Sequence, residues 1–446
     1  MEEMVEKSAI PEDKVFDLIV VGGGAAGLMA AGWAARDGKS VLLIEKMEKS
    51  ARKVNITGKG RCNLTNMCTV EEFLSKVRSG PTGSEGAAFF TPSLKAFGPG
   101  ATCFFFKKQG VKLEEEAGRR VFPQGGKAYE ISDALRWWCS DNGVVVMLNT
   151  KVEQILTAAG RVYGVSYTNK RGFRRKAEGR AVLLTTGGAS YPLTGSTGDG
   201  YKLARDVGHT IVPVRPSLVA LRSNHPKMAD LTGMKTGGQT GPGGLRLKNI
   251  RATLLVDGEE VASEFGEIEF SPRGIDGPVV LRMSRTAVDA IIDEKGVEIA
   301  LDLKPALTED VLRARIAREL ETLDPKAFAI ELLRKMLPRN LVYFVADSAA
   351  INPKTFAARL TSDEIGRVIA AMKRVVFPIV DYGPWEQAIV TAGGVSLDEI
   401  DPETLASRLV KGLYFAGEVI DLDADTGGYN LQIAFSTGRL AAQMKV

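Results

Sequence analysis

Apolar positions in this chain follow two rhythms. Asp17-Leu-Ile-Val-Val21 is apolar almost throughout, as a short strand covered on both faces is. It runs into Gly22-Gly-Gly-Ala-Ala-Gly27, after which Ala25 to Asp37 reads as a helix, and Ser40 to Ile44 is a second apolar strand ending in Glu45. The charge-free stretch Leu18 to Ala35 is about long enough to span a bilayer. Gly22, Gly23, Gly24, Gly27 and Gly32 interrupt it, however, and glycine weakens a helix. Strand, turn and helix account for every residue of it.

Further along, Val152 to Thr168 alternates about Ala159-Gly160 as a hairpin does. The pattern continues through Phe173 into a strand, Ala181 to Thr185, that ends in Thr186-Gly-Gly188. Ile250 to Phe270 alternates about Asp257-Gly258, and Val297 to Leu303 alternates again, which predicts antiparallel strands with a solvated face. Val311, Ile316, Leu320 and Leu323 fall near helical spacing, and Thr361 with Glu364 forms a capping box. Gly412-Leu-Tyr-Phe-Ala-Gly-Glu418 is once more strand then glycine turn, with a helix expected over Ile433 to Gln443.

The first turn carries chemistry. In a GxGxxG, here Gly22, Gly24 and Gly27, the first glycine permits a tight turn. The second lets the backbone approach a pyrophosphate, and the third lets helix and strand pack closely. The following helix, from Ala25 and Ala26 onward, points its N-terminal N–H groups at phosphate. Glu45 stands 18 residues beyond Gly27, where a carboxylate accepts hydrogen bonds from an adenosine ribose. Together these features predict a dinucleotide site, without separating FAD from NAD. Lys53 to Asn66 is rich in glycines, amides and hydroxyls and reads as a loop wrapping the far end of an extended cofactor.

Composition narrows the chemistry. The chain has 446 residues, 48 glycines, 4 cysteines and 2 histidines. Glycine, at about 11%, exceeds its usual ~7%. Two histidines leave no room for a His-rich metal site, so no metal is expected, and they disfavour a His-based triad. The net charge of +4 is too small to argue for a nucleic-acid partner without a patch. Cysteines without paired CxxC spacing fit a reducing, cytoplasmic compartment. The acidic start Met1-Glu-Glu-Met-Val-Glu-Lys7 lacks the apolar core of a signal peptide.

Several blocks resemble one family of bacterial flavoproteins, the BaiN-like bile-acid reductases and aminoacetone-oxidase-like proteins. They are Val21 to Gly27, Lys53 to Asn66, Gly118 to Pro123, Thr186 to Pro192, Gly195 to Gly200, Gly274 to Pro278, Thr391 to Val395 and Gly412 to Gln432. The resemblance implies an α/β fold with a Rossmann-type FAD-binding domain of the glutathione-reductase type, assembled from both chain ends. Residues 1–194 and 384–446 would form it, with an inserted antiparallel β subdomain at 195–304 and a small helical subdomain at 305–383. It implies non-covalent FAD, with Gly22, Gly24, Gly27, Glu45 and Lys46 at the ADP part. Thr57, Gly58, Arg61, Cys62, Asn63 and Thr65 would lie near the flavin, following Lys53. Thr186 and Gly187 would close the adenosine end, and Val152 and Gly188 are further expected cofactor-binding residues. Gly417, Glu418, Gly427, Gly428, Asn430, Leu431 and Gln432 would hold pyrophosphate, ribitol and ring. A helix starting near Asn430 would direct its positive end at the flavin and favour an anionic reduced ring, by ~0.3–2 kcal/mol.

The activity implied is hydride transfer through flavin N5 to a small or hydrophobic organic substrate such as a conjugated enone. NAD(P)H would be a visiting donor, since no second GxGxxG follows a strand. Oxidation of an aminoketone by oxygen is the alternative, and a tRNA-binding or tRNA-modifying flavoprotein is the alternative of another class. The expected partner is a small molecule, with neither nucleic acid nor membrane. No catalytic acid or base is assigned. Cys62 and Cys68 sit where a related disulfide reductase carries its redox pair, but read better as ordinary thiols. His209 reads as structural, and Lys170 to Lys176 as a solvated hairpin tip, with an RNA-binding patch as the other reading. Arg119 and Arg120 are candidates for anchoring an anionic substrate, with surface salt bridging as the equal reading, and Tyr191 for lining the site; Thr236 to Gly244 reads as a plain surface loop rather than a lid.

Overall fold

The computed structural model describes residues 14–80, 85–231, 244–271 and 274–445. The expected loop at Thr236 to Gly244 falls almost wholly outside them. The chain packs as two compact units, one from residues 1–217 with 385–446 and the other from 218–384.

The first unit is organised by a seven-stranded sheet. Val145–Met147, Val41–Ile44, Val15–Val21 and Arg174–Leu184 lie side by side and parallel. Leu413–Phe415 adds a further parallel strand against Arg174–Leu184, so the sheet draws on both chain ends. Arg161–Thr168 and Lys151–Ala158 complete it antiparallel, as the expected hairpin. Leu18, Ile19, Val20, Leu42 and Leu43 are wholly buried, each such side chain being worth about 1.5–3 kcal/mol. That is why these strands read as unbroken apolar runs.

In the helix after the first strand, Ala25–Arg36, eight of the twelve residues are Ala or Gly. The C-terminal helix, Tyr429–Ala441, crosses it so closely that a Cβ on Gly438 would lie 2.5 Å from the Ala26 carbonyl oxygen, and a Cβ on Gly32 would meet the Trp138 ring. This helix begins at Tyr429 rather than at Ile433 as the apolar pattern suggested, because its first turn starts directly from the Gly427-Gly428 bend. Lys53 to Asn66 is not a plain loop either. Arg52–Gly60 is helical up to Ile56, then breaks at Thr57 and turns left-handed at Gly58 and Lys59. Two backbone hydrogen bonds close this bend, Arg61 N to Gly58 O and Cys62 N to Thr57 O.

The segment 195–217, expected with the insertion, packs with the first unit. Helix Asp199–Asp206 lies against Lys151–Ala158, and Ile211–Ser217 pairs antiparallel with Val390–Val395.

In the second unit the alternating strands close a barrel in the order Leu221–Ser223, Gly274–Asp276, Glu259–Ser271, Arg246–Val256, Val297–Asp302 and Val375–Tyr382. Strand register there is set by the Asp257-Gly258 turn and by inward residues such as Ile268, Phe270 and Ile299. Helices Glu309–Thr322 and Ser362–Lys373 are capped by Thr308 and by the Thr361–Glu364 box, and belong to the same unit. Among the described residues no helix is long and apolar enough to cross a membrane.

Candidate functional site

The glycine turn at the carboxyl end of the first strand sets the site's first wall. Gly22 has φ +106°, and a Cβ there would sit 2.6 Å from the Thr185 carbonyl oxygen. Gly27 is tighter still: its Cβ would meet the Gly22 oxygen at 2.0 Å and the Thr185 hydroxyl at 2.6 Å. The protein's own packing demands both. Gly24 differs. It is the helix N-cap, its backbone is extended, and a Cβ there would find nothing within 4 Å. No side chain caps the N–H groups of Ala25, Ala26 and Gly27, which leaves the helix's positive end facing that open space.

Glu45 closes the neighbouring strand end. Its Oε2 accepts from the Gly23 N–H at 2.7 Å and its Oε1 from the Met47 N–H at 2.8 Å. Burial nevertheless pushes its carboxyl pKa up. Gly22, Glu45, Lys46, Val152, Thr186 and Asp199 are among the residues that line one small cavity of about 40 Å³. Lys46 ion-pairs with Asp199 and donates to the Thr197 hydroxyl. Burial works to raise the Asp199 pKa, but the Lys46 ammonium holds it below the usual range. A larger depression of about 400 Å³, lined by Phe89, Ile400 and Arg408 among others, contains none of the residues expected in the site.

A second polar cluster follows. Lys53 Nζ donates to Glu418 Oε2 at 2.7 Å and to the Ser190 hydroxyl. Glu418 Oε1 accepts from the Thr391 N–H at 2.8 Å and from the Ser190 hydroxyl at 3.0 Å. The Thr391 hydroxyl in turn accepts from Ala189 N and Ser190 N. A Cβ on Gly188 would lie 2.2 Å from that hydroxyl, so glycine there makes the approach possible. Burial pushes the Glu418 carboxyl up, yet the adjacent Lys53 charge and these hydrogen bonds hold it below its ordinary value. The Tyr201 hydroxyl reaches the Glu418 carbonyl oxygen at 3.4 Å. Ser190, Thr391 and Tyr201 were not singled out from the sequence as site side chains. Two of them stand inside the Thr-Gly-Gly and Thr-Ala-Gly-Gly blocks, which was the available signal.

The third wall joins Asn63 and Thr65 to the start of the C-terminal helix. Thr65 Oγ1 donates to Gln432 Oε1 at 2.6 Å, and Gln432 Nε2 donates to the Phe97 oxygen at 2.8 Å. Both side chains are fully buried, so these two residues support the wall and do not face outward. Asn430 likewise grips the preceding bend, through Ala424 N at 2.9 Å and Ala424 O at 2.8 Å. Leu431 is half-buried. No side chain caps the helix N-terminus at Gly428. Gly417, by contrast, packs against Ala26 and donates its N–H to Thr437 Oγ1 at 2.9 Å.

Two orphaned atoms belong to this assembly: Asn63 Oδ1 and Thr186 Oγ1 are buried without a hydrogen-bond partner. Such groups cost about 1–3 kcal/mol unless a partner arrives. With the open face at Gly24, they fit an extended ligand bearing phosphate and hydrogen-bonding ring edges.

The remaining candidates are engaged in contacts of their own. Arg61 ion-pairs with Glu116 and lies over the Phe122 ring. Arg119 pairs with Glu72 at 3.4 Å, and Arg120 donates to the Ala117 oxygen at 3.0 Å. Burial pushes the Cys62 thiol up to about 12, and raises Cys68 too. All four cysteines are free thiols in this structure. His209 is buried between Glu399 and Ser407, and burial lowers its pKa.

Known proteins share this arrangement of sequence. Residues 16–444 match the family model described as the HI0933-like protein Rossmann domain. The chain is 31% identical to a 3-dehydro-bile acid delta(4,6)-reductase of Clostridium scindens, over 95% of this chain and 97% of that one. It is 28% identical to a ribosomal RNA dihydrouridine synthase of Escherichia coli, over 96% and 97% respectively. Among solved structures, a 3-ketosteroid delta1-dehydrogenase from Sterolibacterium denitrificans shares the fold with a TM-score of 0.52, at 13% identity, covering 96% of this chain and 98% of that one. Glycine turn, two-ended sheet and inserted barrel thus converge with the family match, and the chain belongs to the HI0933-like, BaiN-like family of FAD Rossmann proteins, as an FAD-dependent oxidoreductase.

Proposed function

We propose that the chain binds FAD non-covalently and reduces a carbon–carbon double bond conjugated to a carbonyl, with NADH or NADPH as a visiting donor. The observation that carries this reading is the bond chemistry shared by two relatives matched along nearly their whole length. One is named for reducing Δ4,6 unsaturation in a 3-dehydro bile acid. The other is named for making dihydrouridine, that is, uridine with its C5=C6 bond saturated next to the C4 carbonyl. An enone is the common element.

In this reading the bound flavin supplies the hydride. The chain's residues bind and orient. The N–H groups of Ala25, Ala26 and Gly27 and the open Gly24 face hold the pyrophosphate. Glu45 accepts from the ribose, and Thr186 Oγ1 and Asn63 Oδ1 gain the partners they lack. The Lys53–Glu418 pair, locked by Ser190 and Thr391, keeps the central wall rigid. The uncapped start of the C-terminal helix offers positive potential to the ring edge, an effect of ~0.3–2 kcal/mol. Thr65, Asn430 and Gln432 act behind these groups as supports.

The purified protein should be yellow and bleach anaerobically with NADH or NADPH. Fast reoxidation by an enone with slow reoxidation by oxygen supports the reductase. Absence of bleaching by either nicotinamide, with colour lost on adding an aminoketone, would replace it with the oxidase. A base within RNA is the second substrate class, favoured by the E. coli relative's name.

A further inference from the structure

The turn between Arg161–Thr168 and Arg174–Leu184 concentrates the chain's positive charge. Lys170, Arg171, Arg174, Arg175 and Lys176 fall within seven residues that contain no acid. The whole chain carries +4, so everything outside this tip is one charge negative in balance. All five side chains are exposed, and among the described residues none forms an ion pair. Arg174 donates only to the neutral Gln154 Oε1, at 3.1 Å. This contrasts with Lys46, Lys53, Arg61, Arg78 and Arg119, each held by a carboxylate.

The tip is built, not slack. Asn169 Oδ1 accepts from the N–H groups of Arg171 and Phe173 at 3.0 and 3.1 Å, and Gly172 N donates to the Asn169 oxygen at 2.8 Å. Phe173 is thereby held 58% exposed in the middle of the cations. Arg174 and Lys176 pair with Thr168 and Ser166, while Arg175 pairs with Tyr167. Alternation therefore puts positive charge on both faces of the ribbon.

We propose that this tip is a docking surface for RNA, its cations following the phosphate backbone and Phe173 stacking on an unpaired base. Unpaired cations interleaved with an exposed aromatic are what such a partner requires. A single exposed ring suits a base better than a lipid bilayer, which rewards a broad apolar face. The proposal rests on the second substrate class above, a base within RNA. The tip lies at the opposite end of Arg174–Leu184 from the Thr186 turn, with Phe173 about 43 Å from Thr186 at strand rise. An RNA with a helical rise of ~3.4 Å per nucleotide must therefore span roughly thirteen nucleotides to touch both.

The test is fluorescence anisotropy of the flavin-loaded protein with a labelled ribosomal RNA stem-loop, between about 50 and 200 mM salt. One variant carries Lys170→Gln, Arg171→Gln, Arg174→Gln, Arg175→Gln and Lys176→Gln. A charge-matched control carries Lys95→Gln, Lys107→Gln, Lys108→Gln, Arg318→Gln and Lys326→Gln, all exposed positions elsewhere. The hairpin variant is expected to bind at least about tenfold more weakly at the lower salt, with a log–log salt slope reduced by about 4. Phe173→Ser should weaken binding about fivefold or more and leave the slope unchanged. Equal loss in the control, wild-type binding by the hairpin variant, or tighter hairpin-dependent binding to phosphatidylserine vesicles than to RNA would each overturn the proposal. Flavin absorbance and reduction of a small free enone are read in the same samples. Their failure in the wild type would count against the reductase reading, whatever the RNA result.

Discussion

The two ends of the site in the first unit are made by different means. At the Gly22 end, one continuous stretch from Val15 to Glu45 supplies strand, turn, helix start and acid, and most contacts are backbone. At the Lys53 end, the decisive ion pair joins side chains 365 positions apart, locked by Ser190 and Thr391 from two further segments. The first end depends on what glycine lets the backbone do. The second depends on how distant elements pack.

The sharpest way to break this contrast lies within one motif. Gly27→Ala should prevent folding or cost at least about 3 kcal/mol, because its methyl would overlap the Gly22 oxygen. Gly24→Val should fold with an unchanged apo melting temperature and bind no flavin, since only the open side of the turn is filled. Urea denaturation alongside flavin absorbance separates the two. If both variants unfold alike, Gly24 faces protein and not ligand.

At the other end, Lys53→Met should cost about 1–3 kcal/mol by leaving the Glu418 carboxylate without its cation. Adding Glu418→Gln should recover part of that loss. A double-mutant cycle with no coupling would mean that the pair does not hold the wall.

Acid should act through the same pair. Because the Glu418 carboxyl titrates below its ordinary value in the folded protein, its stabilisation is complete above the ordinary carboxylate range and disappears as pH falls through the lower folded value. The stability gap between wild type and Glu418→Gln should therefore shrink as pH drops from about 7 to about 3. A constant gap would count against the ion pair.

The smallest effect is expected at the buried thiol. Cys62, pushed up to about 12, should resist alkylation at pH ~8 in the native protein. Cys62→Ala should keep its flavin and NAD(P)H oxidation within about twofold, at a cost of about 1 kcal/mol for the small cavity. Loss of turnover on this change alone would bring redox use of the thiol back into consideration.

How much was legible follows the same division. Gly22, Gly24, Gly27 and Glu45 were readable because a tight turn and a helix–strand contact restrict residue type at fixed spacing. The hairpins about Ala159-Gly160 and Asp257-Gly258 were readable from period-two alternation. The helical start at Arg52 was not, because its polar residues resemble a loop and only the bend at Thr57 to Lys59 shows where it stops. Nor was closure of the barrel, since alternation assigns a strand's faces without choosing its neighbours.

The amino-acid sequence alone determined the strand–turn–helix cradle and its dinucleotide character, because these rest on local backbone demands that few residues meet; blocks spread along the whole chain, through their family resemblance, pointed to FAD. Tertiary structure decided that Lys53 faces Glu418, that Thr65 and Gln432 turn inward, and that Gly24, alone of the three motif glycines, opens onto empty space. Those outcomes depend on how segments hundreds of residues apart pack against one another. Local pattern carries no record of that packing until the chain has folded.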